Sequence, residues 1–168
     1  LFAFLATAVI ASQLSERARR ETGNANDRRR EVERLYSFSQ QLLSTDNTAE
    51  LLNTIPRYIV DSFGVRSAAV WLPNRTDVYR SGSNVDGLEL HELQLVHARG
   101  EARIGQQVSF VPLRMGVRVV GSMGVGGTML SRETLDAIGG LIAISIERAG
   151  AMERLSRSEA ARNSEQLR

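Results

Sequence analysis

His91-Glu92 is the pair in this sequence whose side chains come nearest to a recognisable chemistry. His-Glu opens the zinc-protease motif His-Glu-x-x-His, in which two histidines four apart share one helix face and hold the metal. Position 95 is Leu95, so the second ligand is missing. The other histidine, His97, lies about 240° around a helix from His91, and the two side chains point apart. The same pair also opens the phosphoacceptor motif of histidine kinases, which continues with Arg, Thr and Pro. Leu93, Gln94, Leu95 and Val96 stand there instead.

A second candidate is the glycine-rich run VVGSMGVGG, with Gly121, Gly124, Gly126 and Gly127. A phosphate-binding loop needs its glycines at a strand-to-helix turn, where backbone N–H groups can converge on the anion. These glycines fall inside a strand pattern, where glycine more often marks a bulge or a close backbone approach. The chain has no cysteine, which rules out disulfides, thiolate metal sites and thiol catalysis. All 21 basic residues are arginine, but the net charge is only +2. That is too small a field to argue for a nucleic-acid surface. The expectation is a chain with no catalytic residue, no metal site and no cofactor of its own.

The elements that would position these residues begin with an apolar run. Leu1–Ala11 (LFAFLATAVIA) is apolar, and Arg17, Arg19, Arg20 and Arg28–Arg30 come after it. A bilayer span needs about 20 apolar residues, so the run cannot cross alone. Arginine just past an apolar helix marks the cytoplasmic side, so residues 1–14 are expected to be the end of a truncated membrane helix. Asn26–Ser44 is helical, with Val32, Leu35, Ser39 and Leu42 as a narrow apolar stripe. The stripe predicts a parallel two-stranded seam carried by Val32, Leu35 and Leu42, and so a homodimer through the terminal helices.

A second helix over Asn47–Phe63 has Asn47 as cap with Glu50 reciprocating, a kink or break at Pro56, and Gly64 as its stop. Val65–Leu72 reads as a strand covered on both faces, and a short strand begins at Val78–Ser81. Leu90, Leu93 and His97 share one face of a short helix that Gly100 ends. Val108–Leu113 and Val117–Val125 form a hairpin about Met115-Gly116. Ser131 caps a last helix, expected to be buried on most sides up to Arg148 and polar beyond it. Strands in hairpins with helices before, between and after them predict an α+β fold, one antiparallel sheet with helices packed on it.

The run SFVPLRMGVRVVGSMGV followed by LSRETLDAIGGLIAISIERA resembles the second half of a GAF domain. Pro112-Leu113, Val120-Gly121 and the stretch Ala143–Ala149 carry the resemblance. With the flanks SERAR, RRREVERLYSFSQQLL and RLSRSEAARNSEQLR, the whole chain is similar to Kdp-type potassium-responsive sensor histidine kinases. The resemblance implies a linker helix over 15–46, a GAF domain over 47–149 and an exit helix over 150–168 leading to a kinase phosphoacceptor region. It also implies a cytoplasmic domain of an inner-membrane protein, whose parent uses ATP and passes phosphate to a response regulator. The cyclic-nucleotide signature of the family contains lysine, and its bilin and sulfoxide-reductase members need cysteine; this chain has neither. The family's ligand position lies between the sheet and the segment 81–107, where Trp71, Tyr79, His91 and Phe110 are the candidate wall residues. A small or closed cavity is expected, because a small sheet core needs its aromatics. The other reading of the chain is a small-molecule receptor domain of a different membrane-anchored regulator.

Overall fold

The computed structural model of the chain describes residues 25–83 and 87–166. The expected membrane-helix end at 1–14 lies outside these residues. Among the described residues no helix is long and apolar enough to cross a membrane. The chain divides into two units, Leu1–Arg34 and Leu35–Arg168. A helix over residues 25–42, α1, begins in the first unit. There its side chains are almost all exposed, and Arg29 pairs with Glu33 at 3.0 Å.

In the second unit, the last residues of α1 are followed by α2 (Thr48–Phe63), β1 (Ser67–Trp71) and β2 (Tyr79–Gly82). Then come α3 (Leu90–Arg99), β3 (Val108–Met115), β4 (Arg118–Gly126) and α4 (Arg132–Gln166). The four strands form one antiparallel sheet in the order β2-β1-β4-β3. This is the α+β architecture expected from the sequence.

The helix signals act where the sequence puts them. Asn47 Oδ1 accepts from the Glu50 amide at 3.0 Å, and Ser131 Oγ accepts from the Thr134 amide at 3.1 Å. Glu50 does not reciprocate to Asn47; its carboxylate accepts from Thr45 Oγ1 at 3.1 Å. Gly64 and Gly100 close α2 and α3 in the left-handed conformation that glycine adopts without strain. The expected break at Pro56 is absent, and α2 runs unbroken through it. Pro56 is buried, as are Leu52, Ile55 and Ile59 of the same helix, so burial offsets the hydrogen bond its nitrogen cannot donate.

The sheet is covered on both faces. On one side Phe38, Leu42, Leu51, Leu52, Ile55 and Ile59 from α1 and α2 meet Leu135, Ile138, Ile142 and Ile146 from α4. Ala68, Val70, Val111, Leu113, Met123 and Val125 point into that layer from the sheet. Phe38 meets Phe63 edge-on, with ring centroids 5.4 Å apart. On the other side α3 and the chain before it cover Ala69, Trp71 and Phe110.

The stripe expected to form a dimer seam is divided by this packing. Leu42 is fully buried in the chain's own core, and Leu35 packs against that core. Leu42 is not free to form the seam and Leu35 is partly covered, while Val32, in the first unit, is 64% exposed. The amphipathic pattern of the second unit's part of α1 is therefore a core face. α4 is also less buried than its sequence suggests, since Ile144 stands 59% exposed.

Two glycines of the run VVGSMGVGG sit where the sheet leaves no room for a side chain. A Cβ on Gly121 would lie 2.6 Å from the Trp71 carbonyl oxygen, and one on Gly124 would lie 2.8 Å from Leu88 Cδ2 and 2.9 Å from the Phe110 ring. Pro112 fits because β3 is an edge strand, where a missing donor costs least. The prediction is a contrast between two alanine substitutions. Gly124→Ala should destabilise the domain by about 1–3 kcal/mol through overpacking. Gly140→Ala, inside α4 with no atom within 4 Å of the added Cβ, should stabilise it by roughly 0.5–1 kcal/mol. Urea denaturation of the two variants checks the signs, and equal shifts would contradict the packing described.

Candidate functional site

The α3 face of the sheet is where a ligand is expected, and its residues can be taken strand by strand. Side chains alternate along β1, so Ala69 and Trp71 look toward α3 while Ala68 and Val70 look toward α2. Phe110 from β3 joins Trp71 beneath Leu88, Leu93 and Val96. Leu88 and Leu93 are fully buried, and the absent side chain of Gly124 makes the space that Leu88 and the Phe110 ring fill. Polar bonds fix this cover at two points. Arg80 Nη2 donates to the Leu88 carbonyl at 3.1 Å, and Ser122 Oγ donates to the Leu93 carbonyl at 2.8 Å. His97 stands edge-on to Trp71 with ring centroids 5.5 Å apart, and its Nδ1 is buried without a hydrogen-bond partner.

The four expected wall residues do not meet around one cavity. Trp71 and Phe110 are together in the packed layer under α3. Tyr79 pairs with Val70 across the β1–β2 ladder, so it shares Val70's face and packs on the opposite core. His91 is on the outer side of α3, 73% exposed, with Nε2 3.4 Å from Glu92 Oε1. Glu92 is also the partner of Arg103. His91 and His97 are apart, as their spacing requires, and among the described residues no group of His, Asp and Glu could hold a metal ion.

A second constellation, which sequence reasoning missed, lies where α4 leaves the domain. Arg148 reaches from α4 to the linker between α1 and α2. Its Nη1 donates to Asp46 Oδ1 at 2.7 Å, and its Nη2 donates to the Thr45 carbonyl at 2.9 Å and the Leu43 carbonyl at 3.5 Å. Further along the helix, Glu153 Oε1 accepts the Thr48 amide at 2.8 Å. The charges suit the helix ends they meet, a cation at the carbonyl end of α1 and an anion at the amide end of α2. Arg148 is 31% and Asp46 63% exposed, so solvent holds that pair to roughly 0.2–1 kcal/mol. An open cleft of about 830 Å³ runs beside these contacts, lined by Asn47, Glu50, Arg75, Met152 and Arg157 among others.

No protein-family model matches the sequence, and no curated protein matches it. Solved structures do match in shape. The GAF domain of the potassium sensor histidine kinase KdpD from Escherichia coli aligns over 74% of this chain and 98% of its own, at 17% identity and TM-score 0.58. The fold is that of a GAF domain. The GAF domain of an Acinetobacter phosphoenolpyruvate-protein phosphotransferase aligns over 71% of this chain and 94% of its own, at 17% identity and TM-score 0.56. A segment of a methyl-accepting chemotaxis protein aligns over 68% and 98%, at 9% identity and TM-score 0.55. Proteins of several kinds thus share this fold, and likeness at such identities reaches no further than the fold.

The Glu153 contact has a pH signature. The Thr48 amide holds the Glu153 carboxyl below the ordinary glutamate value; partial burial opposes this, and the charges of Arg157 and Arg75 assist it. Because the folded value is the lower one, the contact's stabilisation is complete above the unfolded value and is lost as pH falls through the folded value. The prediction is that wild type exceeds Glu153→Gln in urea midpoint at pH 7, and that the gap closes in acid. A gap independent of pH would show that the carboxylate charge is not what Thr48 needs.

Proposed function

We propose that this chain is the signal-relay GAF domain of a two-component sensor histidine kinase that regulates potassium uptake. The observation that carries the reading is α4. It is a single 35-residue helix whose buried residues, Leu135, Ile138, Ile142, Ile146 and Ala149, all lie in its first half. From Met152 to the last described side chains the helix is almost wholly exposed. Such a helix carries a displacement of the core outward along a rigid rod, and no residue need do chemistry. The likeness of the fold to the KdpD domain and the arginine-rich flanks support the potassium-sensing context.

In this reading the chain has no catalytic role and holds no cofactor. ATP and the response regulator are partners of the parent kinase, the membrane lies before α1, and two copies associate through their terminal helices. Leu42 is buried, so exposed residues of those helices carry that association. The second reading, a small-molecule receptor in another membrane-anchored regulator, is favoured by one observation. His97 Nδ1 lies unpaired beside Trp71, under the helix that covers the family's ligand position.

The deciding experiment changes helix phase in the longer native protein. Inserting one residue after Ser158 rotates the outgoing end of the helix by about 100°, whereas inserting seven nearly restores the phase. The one-residue insertion should shift basal autophosphorylation and its response to potassium severalfold, and the seven-residue insertion should restore both. Identical rates for both insertions and wild type would sink the relay reading. A metabolite that raises the melting temperature, with the rise abolished by Trp71→Ala, would move the choice to the receptor reading.

A further inference from the structure

The contacts of Arg148 and Glu153 lie at a particular point on α4. Ala149 is the last fully buried residue of the helix, and Arg148 and Glu153 bracket the place where it leaves the core. Both reach the same short segment, the linker over 43–47 and the first residue of α2, from positions more than 100 residues away in sequence. Arg148 takes the carbonyls of Leu43 and Thr45, just past the end of α1, and Glu153 takes an amide at the free end of α2. Beyond Glu153 every described side chain of α4 is exposed. Arg148 and Glu153 themselves keep about a third of their surface in water, 31% and 30%. Water therefore reaches both side chains, while Arg148 Nε lies buried with no hydrogen-bond partner.

We propose that Arg148 and Glu153 form a two-sided latch between α4 and the α1–α2 linker, and that opening it releases α4 beyond Ala149 while the sheet and both cores stay packed. The latch deepens the relay reading, because it would decide whether a movement of α1 or α2 reaches the outgoing helix. Closed, it couples Asp46, Thr48 and α4 as one body. Open, it leaves α4 held by its apolar first half alone. The adjoining open cleft gives the released segment and the linker room to separate.

The chain has no cysteine, so spin labels can be placed without removing native thiols. Cysteines at Asn53, exposed on α2, and Ser158, exposed on α4, report the separation across the latch. With the latch intact, pulsed dipolar spectroscopy should give one narrow distance distribution. Glu153→Gln and Arg148→Gln should each widen it at least twofold or add a second distance, and the double variant should go no further than the wider of the two. The near-ultraviolet signal of Trp71 should be unchanged throughout, and Arg154→Ala, an exposed neighbour, should leave the distribution narrow. An unchanged distribution in the double variant would overturn the latch. So would loss of the Trp71 signal together with the widening, because the contacts would then be holding the core itself. If Arg148→Gln does not fold, Glu153→Gln alone decides by the same two readings. The distance reads the latch independently of any kinase. Variants that widen it but leave autophosphorylation of the longer protein unchanged would refute the relay reading and keep the latch.

Discussion

β1 and β4 run side by side through the centre of the sheet, and neither has a face to give to water. All five residues of β1 are buried, as are the last six of β4. A sheet in that position must find apolar cover on both sides from a short chain, and most of the architecture comes from this. Three helical segments supply the cover on one side. On the other only α3 and the chain before it are available, so that layer must be thin and close. It is close because the sheet residues beneath it are small: Ala69, Ser122 and Gly124 let Leu88, Leu93 and Phe110 come down onto the strands. Larger residues there would lift α3 and open the space that a ligand needs.

The same constraint divides α4. Covering β3 and the α2 layer takes only its first half, and the remaining turns have no sheet left to cover. A helix that continues beyond its core must draw its stability from propensity, from i,i+4 pairs such as Glu153–Arg157, and from any contact that can reach it. Arg148 and Glu153 provide those contacts by meeting helix ends. Arg148 takes carbonyls of the linker and Glu153 takes the first amide of α2, so one pair of side chains serves both the outgoing helix and the linker.

How far the sequence can be read depends on the range of the interactions involved. Caps and stops depend on a few neighbouring residues, so Asn47, Gly64, Gly100 and Ser131 are legible. The doubly covered β1 is legible because VRSAAVWL has no polar alternation. Pro56 misleads because its local cost is offset by packing that no local pattern shows. Leu42 misleads as a seam residue because apolar periodicity marks a face to be covered and does not say by what. Tyr79 falls on the unexpected side of the sheet for a similar reason. Its facing depends on the Val70–Tyr79 register, set by an irregular loop, and a slip of one residue exchanges the faces. The Arg148 and Glu153 contacts join residues 102 and 105 positions apart, and no spacing rule reaches that far.

The close packing of the α3 face bears on how such a domain can respond at all. A packed layer has low compressibility, and displacement at one edge passes across it with little loss. Trp71, Phe110 and Leu93 tie β1, β3 and α3 into one layer, and Ser122 bonds α3 directly to β4. β3 is in turn the strand on which α4 packs most extensively. A push on α3 therefore has a continuous path of buried contacts to the first half of α4. Its second half lies beyond the last fully buried residue, and what reaches it depends on contacts that water reaches. A rigid core joined to a breakable tie is the arrangement a switch requires, since the core supplies transmission and the tie supplies the second state.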